Sequence, residues 1–90
     1  MSFPDVIALV RFARQGGLCA CCGKVLAVAN RDSGSRGAWN AHHIDGDSGN
    51  NLLSNCAVVC INPPNCHLNV AHEGDFVTGL APRSAFKLVR

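Results

Sequence analysis

The stretch AHHIDGDSGNNLLSNCAVVC, residues 41–60, decides the fold. It sets two of the chain's four histidines side by side, ahead of a polar loop and a short apolar run. Residues 38–43 predict a strand anchored by Trp39, the only tryptophan, and residues 57–59 predict a second short strand. Glycine and asparagine between them predict a loop over residues 45–54. An exposed histidine pair would mean little, whereas a pair at a strand end, aimed at a metal ion and a water, would indicate catalysis.

Length and composition indicate one small folded domain. The chain has 90 residues, 48% of them hydrophobic, so we expect a single domain over residues 1–90 rather than a disordered chain. A domain this short buries only roughly 60–65% of its unfolded surface, so it needs stabilisation beyond its core, such as disulfides, a metal or a partner. A net charge of +2 permits a polyanionic partner without requiring one. No apolar run approaches the ~18 residues of a membrane span, so we expect no membrane partner.

The flanking segments extend this core at both ends. Pro4, Asp5 and the apolar spacing after them predict a helix over residues 4–15, ended by two glycines. A second helix is predicted from about residue 64 to 72, followed by a short strand over 75–80 and a basic tail to residue 90. The N-terminus has no basic leader with a cleavage site, so we expect an intracellular, reducing location. Cysteines there bind metal more often than they form disulfides.

The six cysteines include two pairs with metal-binding character. Cys19 and Cys22 have the two-residue gap that suits a tetrahedral zinc ion, whereas Cys60 and Cys66 have a wider gap of five. We predict one structural Zn²⁺ held by all four thiolates. The alternatives are that these cysteines are small buried apolar residues, or that the first pair joins two histidines, His67 and His72. The histidine alternative would leave Cys60 and Cys66 idle. Cys56 is expected in the core, and Cys21 has no assigned role.

Taken in order, these motifs resemble the HNH, or ββα-metal, endonucleases. The resemblance covers roughly residues 11–72, and it is carried by the following stretches: the C-x-x-C of residues 19–22, His-His-Ile at 42–44, the polar loop, the run 55–60 that begins with Asn55, and Cys-His at 66–67. The arrangement also resembles that of small phage-encoded proteins of this type. The resemblance implies a small α+β fold with a ββα-metal core over about residues 19–73, an N-terminal helix and a structural four-cysteine zinc site.

The resemblance also implies a site and an activity. His43 would be the general base, and His42 and His67 would hold one divalent ion such as Mg²⁺, Mn²⁺ or Ni²⁺. Asn55 would orient His43 or shape the loop that carries it. The activity implied is metal-dependent hydrolysis of DNA phosphodiester bonds, by nicking or by double-strand cutting. Because neighbours on a regular strand point to opposite faces, both histidines reach one cleft only if the strand ends or bends at His43.

Two further expectations concern residues outside these motifs. His72 follows His67 by five positions, about 140° around a regular helix, so we expect it at the surface or beside the metal ligands, with a role as a ligand as the alternative. Arg31 and Arg36 precede the histidine strand and are candidate contacts to a DNA backbone. With few aromatic residues for base stacking, we expect little reading of sequence. The alternative functions are a non-catalytic zinc-stabilised module that binds nucleic acid, and an accessory nuclease working with other proteins of a phage packaging or restriction system.

Overall fold

The two strands predicted around the histidine pair form the centre of the fold. The computed structural model describes residues 3–61, 65–76 and 79–89. Strand β1 spans Trp39–His43 and strand β2 spans Cys56–Cys60. They pair antiparallel, so that His42 lies opposite Ala57 and His43 lies opposite Cys56. Every residue of β2 is buried, whereas β1 buries Trp39 and His42 and leaves the residues between them partly exposed.

Helix α1 spans Asp5–Arg14, within the predicted range 4–15, and packs against β2. The residue after the helix, Gln15, is buried and joins the helix end to the sheet. Its Nε2 donates to the Val58 carbonyl at 3.0 Å, and the Val58 N–H donates to its Oε1 at 3.0 Å. The Gln15 amide thus provides hydrogen-bond partners for the Val58 N–H and carbonyl, which β1 cannot reach. Gly16 and Gly17, with φ of 68° and 74°, then turn the chain away, as the predicted helix end requires.

The predicted second helix is a short π-helical segment over His67–Ala71. Its wide turn is visible in the His72 N–H, which donates to the His67 carbonyl five residues earlier at 3.1 Å. The start of the helix expected from residue 64 falls in residues 62–64, which lie outside the described residues. The strand expected over 75–80 includes Val77 and Thr78, also outside them, and the described residues on either side form turns and irregular structure.

The outcome is a small α+β fold in which one helix and the C-terminal residues enclose a two-stranded sheet. Trp39, Val58 and Val59 are almost fully buried in its core, where Phe86 from the C-terminal segment joins them. The only further regular elements among the described residues are single 3₁₀ turns at Val28–Asn30, Leu53–Asn55 and Arg83–Ala85. Within the same residues, no helix has the length and apolar content needed to cross a bilayer.

Candidate metal centres and the histidine cleft

The four cysteines predicted to bind zinc converge at one place. The Sγ atoms of this four-cysteine group (Cys19, Cys22, Cys60 and Cys66) all lie within 4.8 Å of one another. The Sγ atoms of Cys22 and Cys60 are 3.8 Å apart. The wide gap in the second pair is harmless because its members sit on different elements: Cys60 ends β2 and Cys66 immediately precedes the π-helical segment. The group could hold one metal ion in the tetrahedral arrangement that zinc prefers.

The electrostatics of these thiols fit a bound cation. The pKa of Cys19 is lowered to about 4, chiefly by a hydrogen bond from the Cys21 thiol and also by backbone N–H groups. Burial raises the pKa of Cys60 to about 11 and also raises that of Cys66. If the four cysteines are thiolates, this largely buried group needs a compensating positive charge, and a structural Zn²⁺ would supply it. Cys56 lies outside the group and is fully buried in the core.

A second group is built from three histidines. The donor nitrogens of this three-histidine group (His42, His67 and His72) also lie within 4.8 Å of one another. Ring centroids are separated by 4.7 Å for His42 and His72, 4.9 Å for His67 and His72, and 5.3 Å for His42 and His67. The Nε2 atom of His42 is buried and has no hydrogen-bond partner. A buried imidazole nitrogen without a partner is costly unless it binds something, and a metal ion fits it.

The His72 ring lies 4.9 Å from the His67 ring, closer than a regular helix would allow, and the π-helical segment explains why. A regular α-helix would turn His72 well away from His67. A π-helix closes its hydrogen bond over five residues, so both side chains lie on the same face of the segment. The His72 Nδ1–H donates to the Gly79 carbonyl at 3.0 Å, which leaves Nε2 to face the group. The alternative zinc set of Cys19, Cys22, His67 and His72 is not assembled, because the two histidines converge on His42 and the two cysteines converge on Cys60 and Cys66.

Burial keeps two members of this group, His42 and His67, neutral and ready to bind a cation. The pKa of His42 is lowered to about 3, first by burial and then by the neighbouring His67 and His72. The pKa of His67 is lowered to about 4, first by burial and then by His72, with the Asp32 carboxylate acting in the opposite direction. Both imidazoles are therefore unprotonated at pH 7, and their lone pairs are available to a metal ion.

His43 sits beside this group but has different partners. It is the last residue of β1, and the Gly46 N–H donates to its carbonyl at 3.0 Å, so a turn begins there. Its ring stacks on Phe3, with centroids 3.8 Å apart and planes 12° apart, and its Nε2 lies 2.9 Å from Asn51 Oδ1. Because the strand ends at His43, both neighbouring histidines line one histidine cleft of about 250 Å³, together with His67, His72, Arg31, Asp32, Asn40, Ala41 and Gly46.

The loop between the strands separates the roles of two asparagines. Asn55 is buried and holds the loop: its Oδ1 accepts from the Asp45 N–H at 3.0 Å, and its Nδ2 donates to Asp45 Oδ1 at 2.9 Å and to the Asn50 carbonyl at 3.0 Å. None of the described hydrogen bonds joins it to His43. The second of the two predicted roles, shaping the loop, is the one that these contacts support. The residue that contacts His43 is Asn51, which the sequence offered only as one of several loop asparagines.

The two predicted DNA-contacting arginines lie in different settings. Arg31 lines the histidine cleft, where its guanidinium is held by the Asp5 carboxylate and by the Phe3 carbonyl at 2.8 Å. It also lies over the Trp39 ring at 5.8 Å from the ring centroid. Arg36 is exposed, and its carbonyl accepts from Asn30 Nδ2 at 2.7 Å, but it does not line the cleft.

The fold and the site thus define a small α+β protein with a four-cysteine group and a three-histidine group, each of which could hold a metal ion. A comparison of the chain with protein-family models, with curated proteins and with solved structures found no match.

Proposed function

We propose that this protein is a metal-dependent endonuclease of the HNH type, which hydrolyses DNA phosphodiester bonds. The observation that carries the proposal is the histidine cleft: three imidazoles that could hold one ion border the same cavity as His43, an imidazole outside that group. An ion and a separate base beside one substrate cavity are the two parts that phosphodiester hydrolysis requires.

The order of the elements supports a ββα-metal core. His42 and His43 end β1, the polar loop leads to the antiparallel β2, and His67 opens the segment that follows. A four-cysteine zinc site at the far end of β2 would hold this small arrangement together, as the resemblance to HNH nucleases implies. The π-helical His67–Ala71 segment would take the place of the α element.

The donor set of the three-histidine group favours a transition metal. Imidazole nitrogens suit ions such as Ni²⁺ or Zn²⁺, whereas Mg²⁺ prefers oxygen ligands, and no carboxylate of the described residues belongs to this group. When bound, the ion would relieve negative charge on the phosphate and on the leaving oxygen. Of the metals suggested by the resemblance, Ni²⁺ is therefore the one that this site fits best.

His43 is placed to act as the general base. With Asn51 Oδ1 as acceptor, the proton of the neutral ring resides on Nε2, and Nδ1 is the nitrogen that can take a proton from water. The stacked Phe3 ring and the Asn51 contact together fix the orientation of the imidazole. Arg31 adds a positive charge at the wall of the same cleft, where the phosphate backbone would lie.

A plasmid assay tests the proposal. Purified zinc-loaded protein is incubated with supercoiled plasmid and Ni²⁺, Mn²⁺ or Mg²⁺, beside His43→Ala and a matched loop control, Ser48→Ala. Ser48 is exposed and does not line the cleft. We expect nicking by the wild type and the control, fastest with Ni²⁺, and a loss of about 10²- to 10⁴-fold in His43→Ala. DNA binding without cutting under every metal would instead favour a non-catalytic binding module.

A further inference from the structure

A second cavity lies at the C-terminal end of helix α1. This arginine cavity, of about 420 Å³, is lined by Arg11, Arg14, Gln15 and Leu88. It shares no lining residue with the histidine cleft. Among the described residues, its walls contain two guanidinium groups and no acidic residue. The Gln15 amide is already engaged with the backbone of β2, so the arginines are the groups left to recognise a ligand.

Arg11 is the unusual member of this cavity. Only 2% of its surface is exposed, and its Nε is buried without a hydrogen-bond partner. Its Nη2 donates to the Leu53 carbonyl at 2.9 Å, which uses one of the five N–H groups of a guanidinium. Both ion pairs of the described residues belong to Arg31, so Arg11 has no carboxylate among those residues. A buried charge without a counterion is costly, and an anion would offset that cost.

Further positive charge surrounds this buried guanidinium. Arg83 donates from Nη1 to the Ser54 carbonyl at 2.6 Å, next to the carbonyl that Arg11 holds. The pKa of Arg11 is lowered, chiefly by burial, and Arg14 and Arg83 lower it further while the Cys56 thiol acts in the opposite direction. Two arginines therefore line the cavity, and Arg83 lies near enough to Arg11 to add to the local positive charge, an arrangement that repels cations and attracts an anion.

We propose that the arginine cavity binds one phosphate group, with Arg11 and Arg14 donating hydrogen bonds to its oxygens and Arg83 adding positive charge. Planar guanidinium groups match phosphate geometry better than other side chains do, and hydrogen bonds between charged groups are the stronger ones. The phosphate can come from free phosphate or from a nucleic-acid backbone. Only the second source rests on the proposed nuclease function, for which the cavity would be a backbone anchor away from the histidine cleft.

The Arg11 Nε–H signal in a proton–nitrogen NMR spectrum reports directly on the site. Inorganic phosphate is titrated into zinc-loaded protein with no DNA and no second metal, so the result does not depend on whether the protein cuts DNA. We expect the Arg11 Nε–H signal to shift and to saturate. Arg14 is exposed, and the Arg14→Ala variant should weaken phosphate binding at least about tenfold. Lys24→Ala, which removes the same charge at a residue that does not line the cavity, should leave binding unchanged.

A second arm, with a short DNA duplex under the same conditions, identifies the source of the phosphate. A shift with inorganic phosphate assigns a general phosphate site, and a shift with the duplex alone assigns a backbone anchor; each supports the proposal. An Arg11 signal that moves with neither ligand overturns it. Equal phosphate affinity in Arg14→Ala and the wild type also overturns it, because binding would then lie elsewhere.

Discussion

The four-cysteine group and the three-histidine group differ in what surrounds them. Three of the four cysteines are buried, and the group joins the loop after α1 to the end of β2. The three histidines instead line a cleft that is shared with His43 and with polar residues. A closed sulfur site with no free position is typical of structural zinc, whereas a site that opens to a cavity can accept a substrate. Under the proposed function, this difference would assign a structural metal to the four-cysteine group and a catalytic metal to the three-histidine group.

The two groups are also linked through the backbone. Cys66 belongs to the first and His67, the next residue, belongs to the second. At the other side, His42 and His43 lie opposite Ala57 and Cys56 of β2, whose far end is Cys60. Because a metal ligand is fixed by its bond, zinc at the cysteines would place His67 and the sheet that carries His42. We therefore expect the histidine site to depend on the cysteine site, and the reverse dependence to be weak.

The largest effect is expected from breaking the four-cysteine group. Structural zinc in small domains contributes an apparent ~10–16 kcal/mol, so Cys60→Ser should lose both zinc and the folded structure. Cys21→Ser is the matched control, since Cys21 is not a member of the group and should keep one zinc per chain. Metal analysis and the far-ultraviolet circular dichroism spectrum measure the two outcomes. A folded, zinc-free Cys60→Ser protein would contradict a structural role for this group.

The next effect concerns the third histidine. His72→Ala should keep its zinc and its fold but bind Ni²⁺ more weakly. Loss of a residue that only hydrogen-bonds to a metal ligand costs ~10- to 100-fold in affinity, so loss of a ligand should cost at least as much. Asn69→Ala, an exposed substitution on the same π-helical segment, is the control and should bind Ni²⁺ as the wild type does. Calorimetric titration gives both affinities. Equal Ni²⁺ affinity in His72→Ala would remove this residue from the site.

A smaller effect is expected from the residue that holds the general base. Asn51→Ala removes the acceptor for His43 Nε2–H and should slow plasmid nicking about tenfold, part of the contribution of a positioned base. Ni²⁺ affinity should not change, because Asn51 contacts no member of the three-histidine group in the described structure. Single-turnover nicking at saturating Ni²⁺ separates rate from binding. A loss of affinity with no loss of rate would assign Asn51 to the metal site instead.

The effect that is smallest near neutral pH is a pH dependence of stability, expected in protein that has zinc in the four-cysteine group and no second metal. The folded pKa values of His42, about 3, and His67, about 4, lie below the ordinary value of about 6.5. Between these limits the unfolded chain binds more protons, so the free energy of unfolding should fall as pH falls from about 6.5 towards 4. NMR titration of the ring protons checks the cause: both histidines should stay neutral above about pH 5. Protonation of either near pH 6.5 would contradict the buried, neutral group.

The sequence supported much of this fold because several signals agreed. The C-x-x-C spacing, the strand ending at His43 and the apolar run of β2 each depend on local chemistry that can be read directly. His72 was missed because its position depends on a π-helical turn, and a regular 3.6-residue period was assumed. Asn51 and Asn55 could not be distinguished because both lie near His43 in sequence, and only the folded loop shows which side chain reaches it.

The most direct test of two metal sites with separate roles is a calorimetric titration of Ni²⁺ into protein that carries one equivalent of zinc, beside His67→Ala. The account predicts that the wild type binds one equivalent of Ni²⁺ while keeping its zinc, and that His67→Ala keeps zinc and fold but binds no Ni²⁺. A Ni²⁺ equivalent that survives in His67→Ala, or that enters only as zinc leaves, would contradict it.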